Sequence, residues 1–460
     1  MLKEVVLSAL LHDIGRIIHP ATGQFKTYHN LGEEWAKRWA AQKDVSQSVV
    51  DTIAHHHERL HDLTLPLGTR NLVWLIQQAD SIATGAKKGE CKQDQGVFDS
   101  GPALPNIFAE VNLFGRQEAK HGYWPLKYDG YPQMREVLHT RQQYETLWEA
   151  MEKEINLVEA EPESLERILR KHLYNVPEDT SATDQFVGGT SLYWHLKITA
   201  ALAVSMYYYV KHIYDFKWQC EDVERIEIHE RPYMLVAGDV SGIQRFVYRV
   251  PHRRALRLLR ARSFFLELLS ETMITKILEK SGYPRVNLLY SGGGTFLLLL
   301  ANTDKEKLAI NQAVKEVNDY LWQHFRDDLF LAVAYHEVSG KELIDAAGEA
   351  ISSVRETANS VKQERWRERL GELFRAKPVP QEECPACGAK CSPHDMTGSE
   401  DERLCRLCAR LSDLGHKLPD IRELWQSDTF TNDTLIDIAG ISYSLKGPWK
   451  TLLLDSGFIP

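Results

Sequence analysis

Histidine and aspartate stand side by side at positions 12 and 13, in Leu-Leu-His-Asp-Ile-Gly, at the end of an apolar stretch. A neutral imidazole nitrogen and a charge-balancing carboxylate oxygen at adjacent positions suit a single divalent ion. Further donors follow: His29 in Thr-Tyr-His-Asn-Leu-Gly-Glu, the run His55-His56-His57, and Asp80 in Gln-Gln-Ala-Asp-Ser. Asp80 falls one residue beyond the apolar positions Leu75, Ile76 and Ala79, at the edge of a buried face. A carboxylate left there without a partner is unfavourable, and a divalent ion offsets that cost. Three helices each turning His or Asp inward would form a centre able to ionise water or polarise a phosphate. The same residues also admit a plain structural role, with His12 as a helix cap, the triple histidine as a solvated turn and Asp80 as an N-cap.

Cysteines form the second cluster. Cys384-Pro-Ala-Cys387 and Cys405-Arg-Leu-Cys408 make two knuckles flanking residues 388–404. Four thiolates so spaced suit a closed tetrahedral zinc site that is structural, with Cys391 as a fifth thiol. A third motif is Gly238-Asp239-Val240-Ser241-Gly242-Ile243-Gln244-Arg245-Phe246. Its small residues let backbone approach a phosphate or base, with Asp239 as acceptor and Ser241 as donor. Arg245, Arg249, Arg253, Arg254, Arg257, Arg260 and Arg262 then follow with no acid among them, a local basic stripe suited to phosphates or a solvated helix face. Ser291-Gly292-Gly293-Gly294 is a turn that, in a polymerase-type palm, would carry two adjacent carboxylates for magnesium; here it carries none, so the module reads as nucleotide-binding at most, or as a structural hairpin.

These residues must be positioned by elements whose periods are visible. Residues 1 to about 90 repeat apolar positions at helical spacing, as in Val5, Val6, Ala9 and Leu10, until Gly85, Lys87, Lys88 and Gly89 interrupt them. Cys91 to about Tyr131 reads as a loop-and-strand connector, 133–175 as charged amphipathic helix, Pro177–Gln185 as a boundary, and Leu192–Val210 as another helix. From 233 the order is strand, helix, strand, strand, helix, strand: Tyr233–Ala237, Ala261–Lys280, Asn287–Tyr290, Phe296–Leu300, Lys305–Phe325 and Leu329–Tyr335. That is a split βαβ, ferredoxin-like module. A charged helix over 341–376, the cysteine knot, and a last 40 residues too few to close a domain complete the chain. The fold class is thus α+β and multidomain. With 460 residues, 43% hydrophobic and 26% charged, the chain is globular and has room for about three domains. Its net charge of −9 rules out a uniformly basic nucleic-acid coat. The N-terminus is neither a signal peptide nor a membrane span, and clustered thiols point to a reducing compartment.

Taken together, the motifs resemble the large, polymerase-like subunit of type III-A (Csm) CRISPR effector complexes. The match lies in Leu-Leu-His-Asp-Ile-Gly-Arg, His29, His56 and Ala-Asp-Ser-Ile-Ala-Thr-Gly for an HD nuclease domain. Ser191-Leu192-Tyr193 with His195, Lys197 and Thr199-Ala200-Ala201 opens a first palm. Gly-Asp-Val-Ser-Gly-Ile-Gln-Arg-Phe, Leu-Arg-Ala-Arg-Ser-Phe-Phe-Leu-Glu-Leu-Leu and Tyr-Ser-Gly-Gly-Gly continue it, and the four-cysteine knot sits where the family has a zinc ribbon. The family's Gly-Gly-Asp-Asp turn, which makes cyclic oligoadenylates from ATP in a second palm, does not occur, and Trp194 stands before His195 where an acid is expected. The resemblance implies domains at 1–90 (HD nuclease), 91–180 (connector and helices), 181–376 (first palm), 377–420 (zinc ribbon) and 421–460 (the start of a truncated further domain). It implies a cytoplasmic single-strand-specific deoxyribonuclease with a divalent ion (Mn, Mg, Ni or Co) held by His12, Asp13, His56 and Asp80, with His29 and His55 as further ligands, His12 and Asp13 being catalytic. Zinc would sit on Cys384, Cys387, Cys405 and Cys408, and half of an ATP site on Asp239, Ser241, Gly242, Ser291, Gly292 and Gly293. Implied partners are the other effector subunits, guide and target RNA, and single-stranded DNA, with no membrane. A phosphohydrolase acting on small nucleotides and a non-enzymatic scaffold with a vestigial HD site are the alternatives. Purified 1–460 given ATP and magnesium is expected to make no cyclic oligoadenylate, a point that product analysis by mass spectrometry checks.

Overall fold

The computed structural model describes residues 1–85, 100–106, 122–127, 130–133, 138–178, 190–214, 230–249, 255–374, 382–398, 403–421, 423–430, 434–444 and 450–452. Most of the expected connector after Cys91, the Pro177–Gln185 boundary beyond 178, Lys87, Lys88, Gly89, Arg253, Arg254 and the tail beyond Leu452 lie outside the described residues.

The N-terminal part is a helical bundle of α1 (Leu2–Leu11), α2 (Gly15–Thr22), α3 (Tyr28–Lys43), α4 (Gln47–His55) and α5 (Leu67–Thr84). In α1 every residue from Val5 to Leu11 is buried, so this helix is core rather than surface. Side chains fix the starts of the next helices: Thr27 accepts from the Asn30 amide at α3, and Ser46 from the Ser48 amide at α4. Gly15 lets α2 and α3 touch, since a Cβ there would stand 1.8 Å from the Tyr28 carbonyl oxygen. A short strand pair follows, β1 (Ser100–Pro102) with β2 (Leu138–Thr140), and then α6 (Arg141–Leu157) and α7 (Pro162–Leu173). A Thr140–Gln143 capping box starts α6.

Helix α8 (Leu192–Ile213) is hydrophobic nearly all round and buried along most of its length. One side packs on α1 and α5; the other meets the sheet, where Ser205 Oγ donates to the Leu299 carbonyl at 3.1 Å. From sequence this helix falls with the sheet; in the structure it is equally a wall of the N-terminal bundle, and one apolar core runs through both.

The sheet consists of β3 (Tyr233–Ser241), β4 (Leu288–Gly292), β5 (Thr295–Ala301) and β6 (Phe330–Val338), all neighbours antiparallel, in the order β4-β5-β3-β6. Helices α9 (Ile243–Tyr248) and α10 (Ala255–Ser281) follow β3, and α11 (Asp304–Phe325) joins β5 to β6. Central β3 is buried from Tyr233 to Gly238 and reads accordingly as an apolar run. Gly293 and Gly294, at φ +62° and +81°, turn β4 into β5, the conformation a tight two-residue hairpin requires. Helix α12 (Gly340–Gln363) stops short of the expected 376. Trp366, at φ +58°, breaks it and packs its ring on Trp322 and Phe330, so burial of that indole outweighs helix continuation. Beyond it lie the strand pairs β7 (Glu382–Glu383) with β8 (Lys390–Cys391) and β9 (Met396–Thr397) with β10 (Leu404–Cys405), then α13 (Arg406–Lys417). Strands β11 (Leu424–Ser427), β12 (Thr434–Ile438), β13 (Ile441–Ser444) and β14 (Lys450–Leu452) form a sheet held to α10 by Tyr443, whose hydroxyl donates to the Leu268 carbonyl at 3.2 Å.

The α2–α3 contact can be tested directly. Gly15→Ala should cost about 2 kcal/mol or more in urea unfolding, because backbone must move apart. Gly68→Ala, where a Cβ meets nothing within 4 Å, should be neutral or stabilising.

Candidate metal centre

Asp13 stands at the meeting point of five elements. It follows α1 directly, as does His12; His29 comes from the first turn of α3, His56 from the end of α4, Asp80 from α5 and His195 from the first turn of α8. Donor atoms of His12, Asp13, Asp80 and His195 all lie within 4.8 Å of one another, and those of His29, His56 and His57 form an adjoining group of the same spread. One oxygen of Asp13 serves each group. Oδ2 is 3.7 Å from His12 Nε2 and 3.5 Å from His195 Nε2, while Oδ1 is 3.5 Å from His56 Nε2 and 3.7 Å from His57 Nε2. Asp80 Oδ1 closes the first group at 3.2 Å from His195 Nε2 and 3.7 Å from His12 Nε2.

The backbone decides which way the imidazole lone pairs point. His12 Nδ1 lies 2.8 Å from the Ala9 carbonyl and His56 Nδ1 3.0 Å from that of Ile53. A carbonyl only accepts, so each Nδ1 carries the proton and each Nε2 turns a lone pair toward Asp13. His56 Nε2 and Asp13 Oδ1 are both buried without a hydrogen-bond partner. Two acceptors that face each other repel unless a cation lies between them. Ligands about 2.1 Å from one ion stand about 3.0–3.5 Å apart, close to the separations here. The residues fit a divalent ion.

Charge at the centre agrees. Burial pushes the Asp13 carboxyl up, but Arg16, whose Nε is 2.5 Å from Oδ2, and His12 hold it well below the ordinary carboxylate range. Asp80 is likewise lowered against its burial, by hydrogen bonding to His12 and His195. Burial would lower His195, yet its bonds to Asp13 and Asp80 and the charge of Glu178 push it up to about 10, so the pocket favours positive charge at that spot. His29 is pushed down to about 3 by burial and by the neighbouring histidines His57 and His56, which keeps it neutral and able to donate a lone pair.

The structure does not bring His55 to the centre. Its Nδ1 pairs with Glu58 Oε1 at 2.8 Å on the outer side of α4, because the helix ends at His55 and the chain then turns His56 and His57 inward. His57 and His195 are the donors at this centre that sequence reasoning did not include. The signal for His195 lay in the Ser191-Leu192-Tyr193 run, read as part of the sheet domain. Trp194 packs among Tyr174, Tyr193 and Lys197, and the acid that faces the His195 ring is Glu178, with Oε1 3.3 Å from Nδ1.

The four sulfurs of Cys384, Cys387, Cys405 and Cys408 also converge within 4.8 Å. Thiolates about 2.3 Å from one zinc stand about 3.8 Å apart. Cys387 and Cys405 sulfurs are 3.8 Å apart, and the Cys405 and Cys408 amides donate to the Cys384 and Cys405 sulfurs at 3.4 Å each. Cys391 lies outside this set, its sulfur 3.6 Å from the Ala389 carbonyl. The donors fit zinc.

Register brings the other motif to one end of the sheet, where Asp239 pairs across with Thr295 and Thr295 with Gly292, next to Ser291 and Gly293. Lys362 binds the Asp239 carboxylate, and Arg365 donates to Ser241 Oγ at 3.4 Å. Gly242, at φ +94°, allows no side chain: a Cβ would meet the Asp328 carbonyl oxygen at 1.8 Å. The arginine run is not a continuous stripe. Arg245 is paired with Asp327 and Asp328, Arg262 is buried, and Arg257 and Arg260 are exposed.

Manganese added to chelator-treated protein should raise its melting temperature, by about 2.7 kcal/mol of stability at about a hundred times the dissociation constant. Asp13→Asn and His195→Ala should lose most of that increment, and His55→Ala should keep it. Scanning calorimetry with and without the ion decides between these ligand sets.

Comparison with known proteins bears on the whole chain. Residues 1–85 match the HD domain family and residues 232–378 the family described as Csm1 subunit domain B. A CRISPR system single-strand-specific deoxyribonuclease Cas10/Csm1 (subtype III-A) from Mycobacterium tuberculosis is 28% identical over 437 residues, 88% of this chain and 53% of that protein. The protein of the same name from Thermococcus onnurineus is 28% identical over 488 residues, 99% of this chain and 57% of its own. The chain therefore spans about half the length of the curated relatives it matches. Its fold resembles a Csm1-Csm4 cassette crystallised with one ATP, with a TM-score of 0.71, 22% identity, and coverage of 96% of this chain and 55% of the other. The two domain-family matches and the similarity along most of this chain agree: the chain is similar to the Cas10/Csm1 proteins of subtype III-A.

Proposed function

We propose that the N-terminal bundle is a metal-dependent, single-strand-specific deoxyribonuclease working in a type III-A effector complex. The observation that carries this reading is the ring of inward lone pairs on His12, His56, Asp13 and Asp80, with Asp13 shared between two groups of histidines. His12, Asp13, Asp80 and His195 would hold one divalent ion, manganese, magnesium, nickel or cobalt; His29, His56, His57 and the second oxygen of Asp13 would serve a further one. Such an ion supplies a lowered pKa for water and stabilises negative charge on phosphate oxygens. The chain's own part is geometric. Carbonyls of Ala9 and Ile53 lock two imidazoles, and Arg16 keeps Asp13 ionised, its guanidinium over the Tyr28 ring at 4.9 Å. Burial keeps His29 and His57 deprotonated, so that ligands rather than cations face the substrate side.

The sheet domain reads as the first palm, contributing half of an ATP site through Asp239, Ser241, Gly242, Ser291, Gly292 and Gly293. Its glycine turn holds no carboxylate pair, and so the domain would bind nucleotide without joining it. The ATP-bound relative supports this reading. The four cysteines would hold structural zinc, and partners would be the other effector subunits, guide and target RNA, and single-stranded DNA in the cytoplasm.

Asp13→Asn should slow cleavage of a labelled single-stranded oligodeoxynucleotide by about a hundredfold or more while leaving the circular dichroism spectrum intact. Duplex DNA should survive wild-type protein. Full activity in the variant, or turnover confined to free nucleoside phosphates, would contradict the assignment.

A further inference from the structure

Arg262 on α10 is 1% exposed, one of the largest fully buried side chains of the protein. Its guanidinium donates to the Phe246 carbonyl at 2.7 Å, to the Arg249 carbonyl, and to the Ala386 carbonyl at 2.9 Å. Its remaining polar neighbour is Cys408 Sγ at 3.8 Å. Among the described residues no carboxylate lies within ion-pair distance of it. A permanent charge buried this deeply without a counter-charge is strongly unfavourable, and carbonyl dipoles alone offset it incompletely. The missing negative charge has an evident source in four thiolates on one zinc, which leave two negative charges uncancelled by the ion. Neutral thiols would offer none. A second arginine leans on the same knot: a Cβ built on Gly388 would fall 1.7 Å from Arg249 Nη2, so this guanidinium lies against the first knuckle.

We propose that Arg262 is the electrostatic partner of a zinc-loaded four-cysteine centre, and that through it the zinc fastens helix α9 and its flanking carbonyls to the sheet domain. This rests on the four cysteines holding zinc, as read above. The guanidinium spans both parts: one nitrogen holds the end of α9, and the other holds the Ala386 carbonyl and the Cys408 sulfur. Zinc retention then depends on a residue far from the cysteines in sequence, and the seating of the Gly242–Arg249 segment depends on zinc.

The test uses the full chain. Zinc per chain is measured on wild-type protein from zinc-replete medium, followed by the rate of zinc release to a chromogenic chelator for wild type, Arg262→Lys and Arg262→Met. The Met variant should release zinc about 10- to 100-fold faster, with Lys in between. In zinc-stripped wild type, amide exchange should rise in Ile243–Tyr248 and stay unchanged in α1 and α5; this measurement also decides the matter if the Met variant does not fold. Stoichiometric zinc with equal release rates in a folded Met variant, or with unchanged exchange in α9, overturns the proposal alone. Absence of zinc from wild type overturns the reading of the cysteines and this proposal with it.

Discussion

Asp13 is buried and charged, and its Oδ1 faces the His56 Nε2 lone pair with no hydrogen-bond donor on either atom. Its two oxygens each face a pair of imidazoles, and two of those imidazoles are fixed by backbone carbonyls one helical turn back. Arg16 balances part of the charge from one side. The remainder, with Asp80 alongside, makes the interior of the bundle negative just where helices α1, α4, α5 and α8 converge. Packing elsewhere in the bundle holds this unfavourable arrangement together: α1 is buried along almost its whole length, and α2 and α3 touch through Gly15. A divalent ion placed there would relieve the like polarity of the facing acceptors, and the donors already converge for it.

Helix α8 transmits this constraint to the rest of the molecule. Its first turn delivers His195 to the ion pocket and its middle hydrogen-bonds the sheet through Ser205. Asn287, at the start of β4, reaches the Ala201 carbonyl of the same helix at 3.1 Å. The bundle and the sheet therefore share one helix, packed on both. A second link lies at Arg262, which reaches from α10 to both α9 and the cysteine knot.

What was legible in the sequence was what is local. His12 and Asp13 are adjacent, Asp80 sits one step beyond an apolar helical face, and the knuckle cysteines carry their own spacing; each could be read without knowing the fold. The strands flanking the glycine turn lie within two residues of where alternation and composition put them, because Gly-Gly at positive φ leaves a hairpin little choice. His195 could not be read as a ligand because it is 183 residues from His12 and meets it only through the docking of α8 on α1 and α5. His55 and His57 were exchanged because the facing of a run of three histidines depends on the residue at which α4 ends. The arginines misled for a similar reason: composition shows seven cations in a row, whereas burial of Arg262 and pairing of Arg245 are properties of the folded chain.

The central claim is that a cation belongs beside Asp13. Crystals soaked in manganese and measured for anomalous scattering test it most directly. The account predicts a peak within about 2.2 Å of Asp13, His12, Asp80 and His195 donor atoms, with any second peak on the His29, His56 and His57 side. A map with no peak in that pocket at saturating manganese, and with the His12 and His56 Nε2 atoms bonded to ordered water, would contradict it.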